Sequence, residues 1–119
     1  VITELGPNEI FVFGSNPDGW HAGGAARTAL ERFGAVWGEG HGLHGRSYAV
    51  DTMSGLGVLQ DEVRTLLEFA TYHPELRFLV TPIGTGIAGH DPEEVAPFFV
   101  GAPDNVVLPA EFSAVLAAE

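Results

Sequence analysis

Asn16, Asp18 and His21 stand close together in a polar stretch that follows the apolar run Ile10–Phe13. Their side chains form a small chemical set. An amide can orient a water or a sugar hydroxyl, a carboxylate can accept a proton, and an imidazole can do either near neutral pH. The next feature is Gly23-Gly24-Ala25-Ala26, and far along the chain comes a second glycine segment, Ile83-Gly84-Thr85-Gly86-Ile87-Ala88-Gly89. Glycine lets the backbone approach a ligand closely and turn its N–H groups toward an anion. A helix beginning just after such a turn adds about half a positive charge. The expectation is one site for an anionic, nucleotide-like ligand. Gly14, Ser15, Asn16, Gly23, Gly24 and Ala25 would contact it from the first loop, and Gly84, Thr85, Gly86, Ile87, Ala88 and Gly89 from the second. Asn16, His21 and Asp18 are the catalytic candidates.

Each of these residues also has a plainer use. Glycine turns between strands and helices often serve packing alone. Asn16 can form an Asx-turn ahead of Pro17, Asp18 can be a solvated turn acid, and His21 can tie the loop down by hydrogen bonds. Trp20 either stacks on a base or covers the edge of the core. Asp91 suits helix capping, with His90 beside it at the edge of the second loop. Tyr48 reads as core. Arg46 is the only basic residue in a candidate site loop, and a surface role is the simpler one for it. His41 and His44 have H-x-x-H spacing, but no cysteine or helix supports them, and no metal site is expected.

Composition narrows the chemistry. Sixteen acids stand against five arginines, giving a net charge of −11, and there is no lysine. A protein that grips nucleic acid by its phosphates needs a basic surface, so that class is disfavoured. Without lysine, Walker A phosphate loops and Schiff-base catalysis are excluded. Without cysteine, so are disulfides and thiolate chemistry. An anionic small ligand remains possible, because backbone donors in contact with it outweigh carboxylates beyond a screening length of about 8 Å. No apolar run is long enough to span a bilayer and no signal peptide opens the chain, so a cytoplasmic protein is expected. The length of 119 residues suits one domain over 1–119, and the opening Val1 fits a piece trimmed from a longer protein.

The elements that must position these groups alternate. Ile10–Phe13, Ser47–Val50, Phe78–Val80 and Val106–Leu108 read as buried strands, with Val36-Trp37 a short strand or an anchor. Residues 38–45 read as a flexible connection. Ala26, Ala29, Leu30 and Phe33 recur at helical spacing, with Gly34 as the stop. Val63, Leu66, Leu67 and Ala70 predict a helix from about Gln60 to Tyr72. Asp91, Pro92 and Glu94 form a helix start with a capping box, and that helix is expected to run to Phe99. A last helix is expected over Glu111–Ala118. Such alternation predicts an α/β domain with a mostly parallel sheet. Both glycine loops then follow strands, at the carboxyl edge where open α/β sheets bind ligands.

At this level of detail the chain resembles the macro domains, and within them the small bacterial and phage macro-like proteins. The likeness rests on four motifs in order: FVFGSN at Phe11–Asn16, the His-Gly-rich helix start at His21–Ala26, GLxGxSYA at Gly42–Ala49, and IGxGxAG at Ile83–Gly89. Together they cover nearly the whole chain. The resemblance implies a three-layer α/β/α sandwich around a mostly parallel mixed sheet. It also implies binding of ADP-ribose or an ADP-ribosylated substrate, a place in NAD metabolism, and removal of ADP-ribosyl groups. No cofactor is expected, and a fused or neighbouring ADP-ribosyltransferase or toxin is a candidate partner. Hydrolases of this branch use a lysine after the SYA strand and an aspartate beyond the second loop's glycine. Those positions fall at Met53 and near Ala88, so the expected mechanism is lysine-independent, with water held by Asn16 attacking the anomeric carbon. The alternative is a non-catalytic module that reads ADP-ribose or another nucleotide signal.

Overall fold

The apolar residues after Asn8 alternate between two cores. In the computed structural model, which describes residues 2–118, Glu9–Ser15 is a strand, β1. Phe11 and Phe13 pack with Ala26, Ala29, Phe33 and Ala49. Ile10 and Val12 join the larger cluster of Tyr48, Val50, Phe78, Val80, Leu59, Leu66, Phe99 and Phe112. This is the two-residue period of a strand buried on both sides. Each large apolar side chain so buried contributes roughly 1.5–3 kcal/mol.

The remaining elements are α1 (Gly24–Arg32), β2 (Gly42–His44), β3 (Ser47–Asp51), α2 (Leu56–Thr71), β4 (Arg77–Val80), α3 (Pro92–Val95), β5 (Val106–Val107) and α4 (Ala110–Ala117). The sheet order is β2-β3-β1-β4-β5. β1 runs parallel to β3 on one side and to β4 on the other, and β4 is parallel to β5. β2 is the antiparallel member, paired with β3. The domain is thus α/β with a mixed, mostly parallel five-stranded sheet. Among the described residues no helix is long and apolar enough to cross a membrane.

The differences from expectation have local causes. Gly42-Leu43-His44 lacks a strand pattern of its own, and its pairing is supplied by β3. Val36 and Trp37 form no strand; Trp37 instead lies edge-on to His21, with ring centroids 6.4 Å apart. α2 starts a turn early at Leu56 because Leu59 is fully buried, and tertiary burial overrides the poor propensity of Gly57. The capping box at Asp91 forms, with the Asp91 N–H donating to Glu94 Oε1 at 2.9 Å. The α-helix nevertheless ends at Val95 and continues as a 3-10 turn over Ala96–Phe99. Pro97 has no N–H to give to the carbonyl of Glu93, so the ladder breaks there.

Candidate functional site

β1 is the strand at which the chain changes direction across the sheet. Its parallel neighbours are β3 on one side and β4 on the other, and such a switch point opens a crevice at the carboxyl edge. The crevice is a cleft of about 590 Å³. One wall is the end of β1 (Gly14, Ser15, Asn16), Trp20, and Ala22–Ala26 at the start of α1. The far wall is Thr81–Gly84 and Gly86–Ala88. Thr52 and Met53, just past β3, close the side. The two glycine loops, about half the chain apart in sequence, share one cavity.

The main chain gives the cleft its character. Among the described residues, the N–H groups of Gly23, Gly24, Ala25 and Ala26 donate to no protein acceptor, and neither do those of Gly84, Gly86, Ile87 and Ala88. Gly24, at φ 58°, and Gly84, at φ 78°, hold the left-handed conformations that aim these segments. A β-carbon at Gly84 would press on Leu59 at 3.1 Å, so the floor of the second loop fits only glycine comfortably. Thr85 and Gly89, expected among the contacts, do not line the cleft. The Thr85 hydroxyl donates to the Pro82 carbonyl at 2.7 Å, and the Gly89 N–H donates to Gly86 O at 3.0 Å, so both shape the loop.

The polar side chains of the cleft are already engaged. The hydroxyl of Thr52 donates to Ser15 O at 3.1 Å and that of Thr81 to Val12 O at 2.8 Å. Asn16 lines the cleft, yet its amide grips the backbone of Trp20 in both senses. Nδ2 donates to Trp20 O at 3.0 Å, and Trp20 N–H donates to Oδ1 at 3.1 Å. The Asx-like use of Asn16 is therefore real, and one amide hydrogen and one oxygen lone pair remain for a ligand or water.

Two of the catalytic candidates are placed elsewhere. His21 is 1% exposed and does not line the cleft. Its Nε2 faces the Val36 carbonyl at 2.9 Å, an acceptor only, so Nε2 carries the hydrogen and Nδ1 accepts from the Ser15 hydroxyl at 3.1 Å. With its ring edge-on to Phe13, His21 ties the loop to the core and to residue 36. Asp18 is exposed on the turn and also lies outside the lining. The proton-carrying roles expected of these two have no geometric basis here. Arg46 is likewise absent from the lining, and its guanidinium donates to Gly6 O.

The sequence reading missed what holds the third wall. Asp51 is buried, and its carboxylate accepts from Met53 N–H at 2.9 Å and from the Ser54 hydroxyl at 2.6 Å. Glu62 Oε1 accepts from the Asp51 N–H at 2.7 Å and lies 2.7 Å from His41 Nδ1. The D-x-x-S spacing was the available signal, since it marks a carboxylate folding the next turn around itself. No protein-family model matches the chain, and no solved structure matches it significantly.

Proposed function

We propose that this chain is a macro-domain-type module that binds ADP-ribose, or an ADP-ribosyl group on a larger substrate, with the diphosphate held by backbone N–H groups. The reading is carried by one observation: both glycine loops meet in one cleft, where the N–H groups of Gly23–Ala26, Gly84 and Gly86–Ala88 are unpaired among the described residues. No lysine or arginine lines that cleft, so main-chain donors are its means of holding an anion. The fold supports the same reading. α1 packs on the Phe11–Phe13 face, and α2 and α4 contribute to the cluster on the other, as a three-layer α/β/α sandwich requires.

Hydrolysis of an ADP-ribosyl linkage is the second reading, favoured by the free amide hydrogen and lone pair that Asn16 keeps at the cleft. A water held there would attack the anomeric carbon as its bond to the leaving atom breaks. The water's proton would pass to a ligand phosphate and the departing atom would leave with a proton from solvent. Met53 and Ala88 line the cleft, and the resemblance puts the lysine and aspartate of that branch's hydrolases at Met53 and near Ala88. The protein's contribution is then positioning and charge stabilisation.

The test is thermal stabilisation and calorimetric titration with ADP-ribose, ADP-ribose 1″-phosphate and NAD. Ligand at 100 times its Kd stabilises the fold by about 2.7 kcal/mol. No response to any of the three at millimolar concentration overturns the binding reading. Binding without release of ADP-ribose from modified protein or nucleobase leaves a reader.

A further inference from the structure

The polar half of the cleft explains how an anion is held and leaves its most conspicuous side chain unused. Trp20 is 61% exposed, and among the described residues it is the one aromatic side chain lining the cleft. An indole left in water costs hydrophobic free energy that burial would recover. Its backbone, by contrast, is unusually well fixed. Asn16 brackets it on both sides, accepting from its N–H and donating to its carbonyl. The preceding Gly19, at φ 67°, donates its N–H to Asn16 O at 3.0 Å, and its carbonyl accepts from Gly38 N–H at 2.9 Å. A β-carbon on Gly19 would lie 2.3 Å from the nitrogen of Glu39, so the turn is pressed against a second segment of chain. The following residue, His21, is anchored in the core.

The same lining holds two more exposed apolar side chains, Met53 and Ile87, the latter 94% exposed. The cleft therefore joins unpaired N–H donors to an apolar rim that water solvates poorly. A ligand with an anionic centre and a planar ring satisfies both parts.

We propose that Trp20, whose backbone Asn16 holds in place at the mouth of the cleft, is a stacking platform for a planar heterocycle of the bound ligand. The inference rests on the reading of the cleft as a diphosphate cradle. With the Trp20 backbone fixed before binding, only the side-chain torsions remain to be ordered on stacking, so less of its contribution to affinity is offset. The heterocycle can come from either end of a dinucleotide-like ligand: the base of the nucleotide, or a ring attached to the distal ribose.

The experiment compares wild type, Trp20→Ala and Trp20→Phe by calorimetry with ADP-ribose, which carries the base alone, and with NAD, which carries the base and a nicotinamide ring. Inorganic pyrophosphate, which carries no ring, is measured by competition. Trp37→Phe leaves Trp20 as the sole indole and reports stacking by fluorescence quenching. Trp20→Ala is expected to weaken ring-bearing ligands about 10-fold and Trp20→Phe to restore most of the loss, with pyrophosphate unchanged and melting temperatures alike. Loss with both ligands assigns the base to the platform; loss with NAD alone assigns the ring at the distal ribose. The proposal is overturned if Trp20→Ala binds both as tightly as wild type, if Trp20→Phe fails as badly as Trp20→Ala, or if pyrophosphate weakens in parallel. If wild type binds neither ADP-ribose nor NAD, the diphosphate reading falls and the platform with it. If wild type binds and the variants do not differ, the platform alone falls.

Discussion

Gly40 lies directly against the carbonyl oxygen of Asn16: a β-carbon at residue 40 would sit 2.1 Å from that oxygen and 3.3 Å from the nitrogen of Gly19. The first wall of the cleft is thus braced by a segment distant from it in sequence, backbone on backbone. Gly40→Ala should push the two segments apart and destabilise the fold by about 1–3 kcal/mol. Because Asn16 and Trp20 move with the wall, affinity for ADP-ribose should fall as well. Urea denaturation and titration of the same sample check both. An unchanged midpoint would show that the contact yields without cost.

His21 gives a contrasting prediction, since it is buried outside the cleft lining and its hydrogen bonds tether the loop. His21→Ala removes a packed ring, leaves the Val36 carbonyl without its donor, and frees the Ser15 hydroxyl. A cost of about 3 kcal/mol is expected from the cavity and the orphaned carbonyl together. If the protein proves catalytic, His21→Gln should keep more stability than His21→Ala. The pH dependence of its rate should also match that of wild type, once both are compared below their unfolding transitions.

Gly86 tests the cradle itself. Its backbone is not left-handed, and no atom lies within 4 Å of a β-carbon built there. Gly86→Ala should leave the melting temperature nearly unchanged. Gly86→Glu should fold equally well, yet place a carboxylate beside the diphosphate and weaken ADP-ribose more than 10-fold. Equal affinity in wild type and Gly86→Glu would remove this loop from the ligand site.

Tyr48 should govern stability in alkali. Burial, with a smaller contribution from the Glu62 carboxylate, pushes its phenol up from 10.0 to about 12, and the residue is 5% exposed. The unfolded chain therefore releases this proton first, and between pH 10 and 12 the native state holds more protons than the unfolded one. Stability is complete below pH 10 and falls as pH rises, by up to about 1.4 kcal/mol per pH unit from this group. Tyr48→Phe should flatten that part of the denaturation profile.

Asn105 provides a control remote from the cleft. Its Nδ2 lies 3.0 Å from Ala70 O, 3.0 Å from His73 O and 3.1 Å from Leu76 O, closing the carbonyl end of α2. The other end of this helix, about 24 Å away, adjoins the third wall of the cleft. Asn105→Ala should cost about 2 kcal/mol and leave ligand affinity unaltered. A matching loss of affinity would mean that α2 transmits strain to Met53.

The parts of this protein legible in sequence are those where one local signal suffices. The run Ile10–Phe13, the stop at Gly34 and the Asp91–Glu94 box each specify their element without help, and the meeting of the two glycine loops follows from strand alternation. What escaped depends on contacts that no periodic pattern marks. β2 exists through its pairing with β3, and the first turn of α2 through burial of Leu59. His21 has residue types around it that suit acid–base chemistry, and only its burial and two partners identify it as an anchor. Asp51 was passed over for a related reason: its carboxylate serves a turn that no periodic pattern marks.

If the two glycine loops hold an anion as proposed, their unpaired N–H groups would separate two tasks that side-chain recognition would merge. Grip would rest on backbone conformation at a few positions, while the side chains of Trp20, Met53, Ile87 and Ala88, which line the same cleft, would govern what else it accepts. Substitution at those four would then change the accepted partner without dismantling the anion cradle.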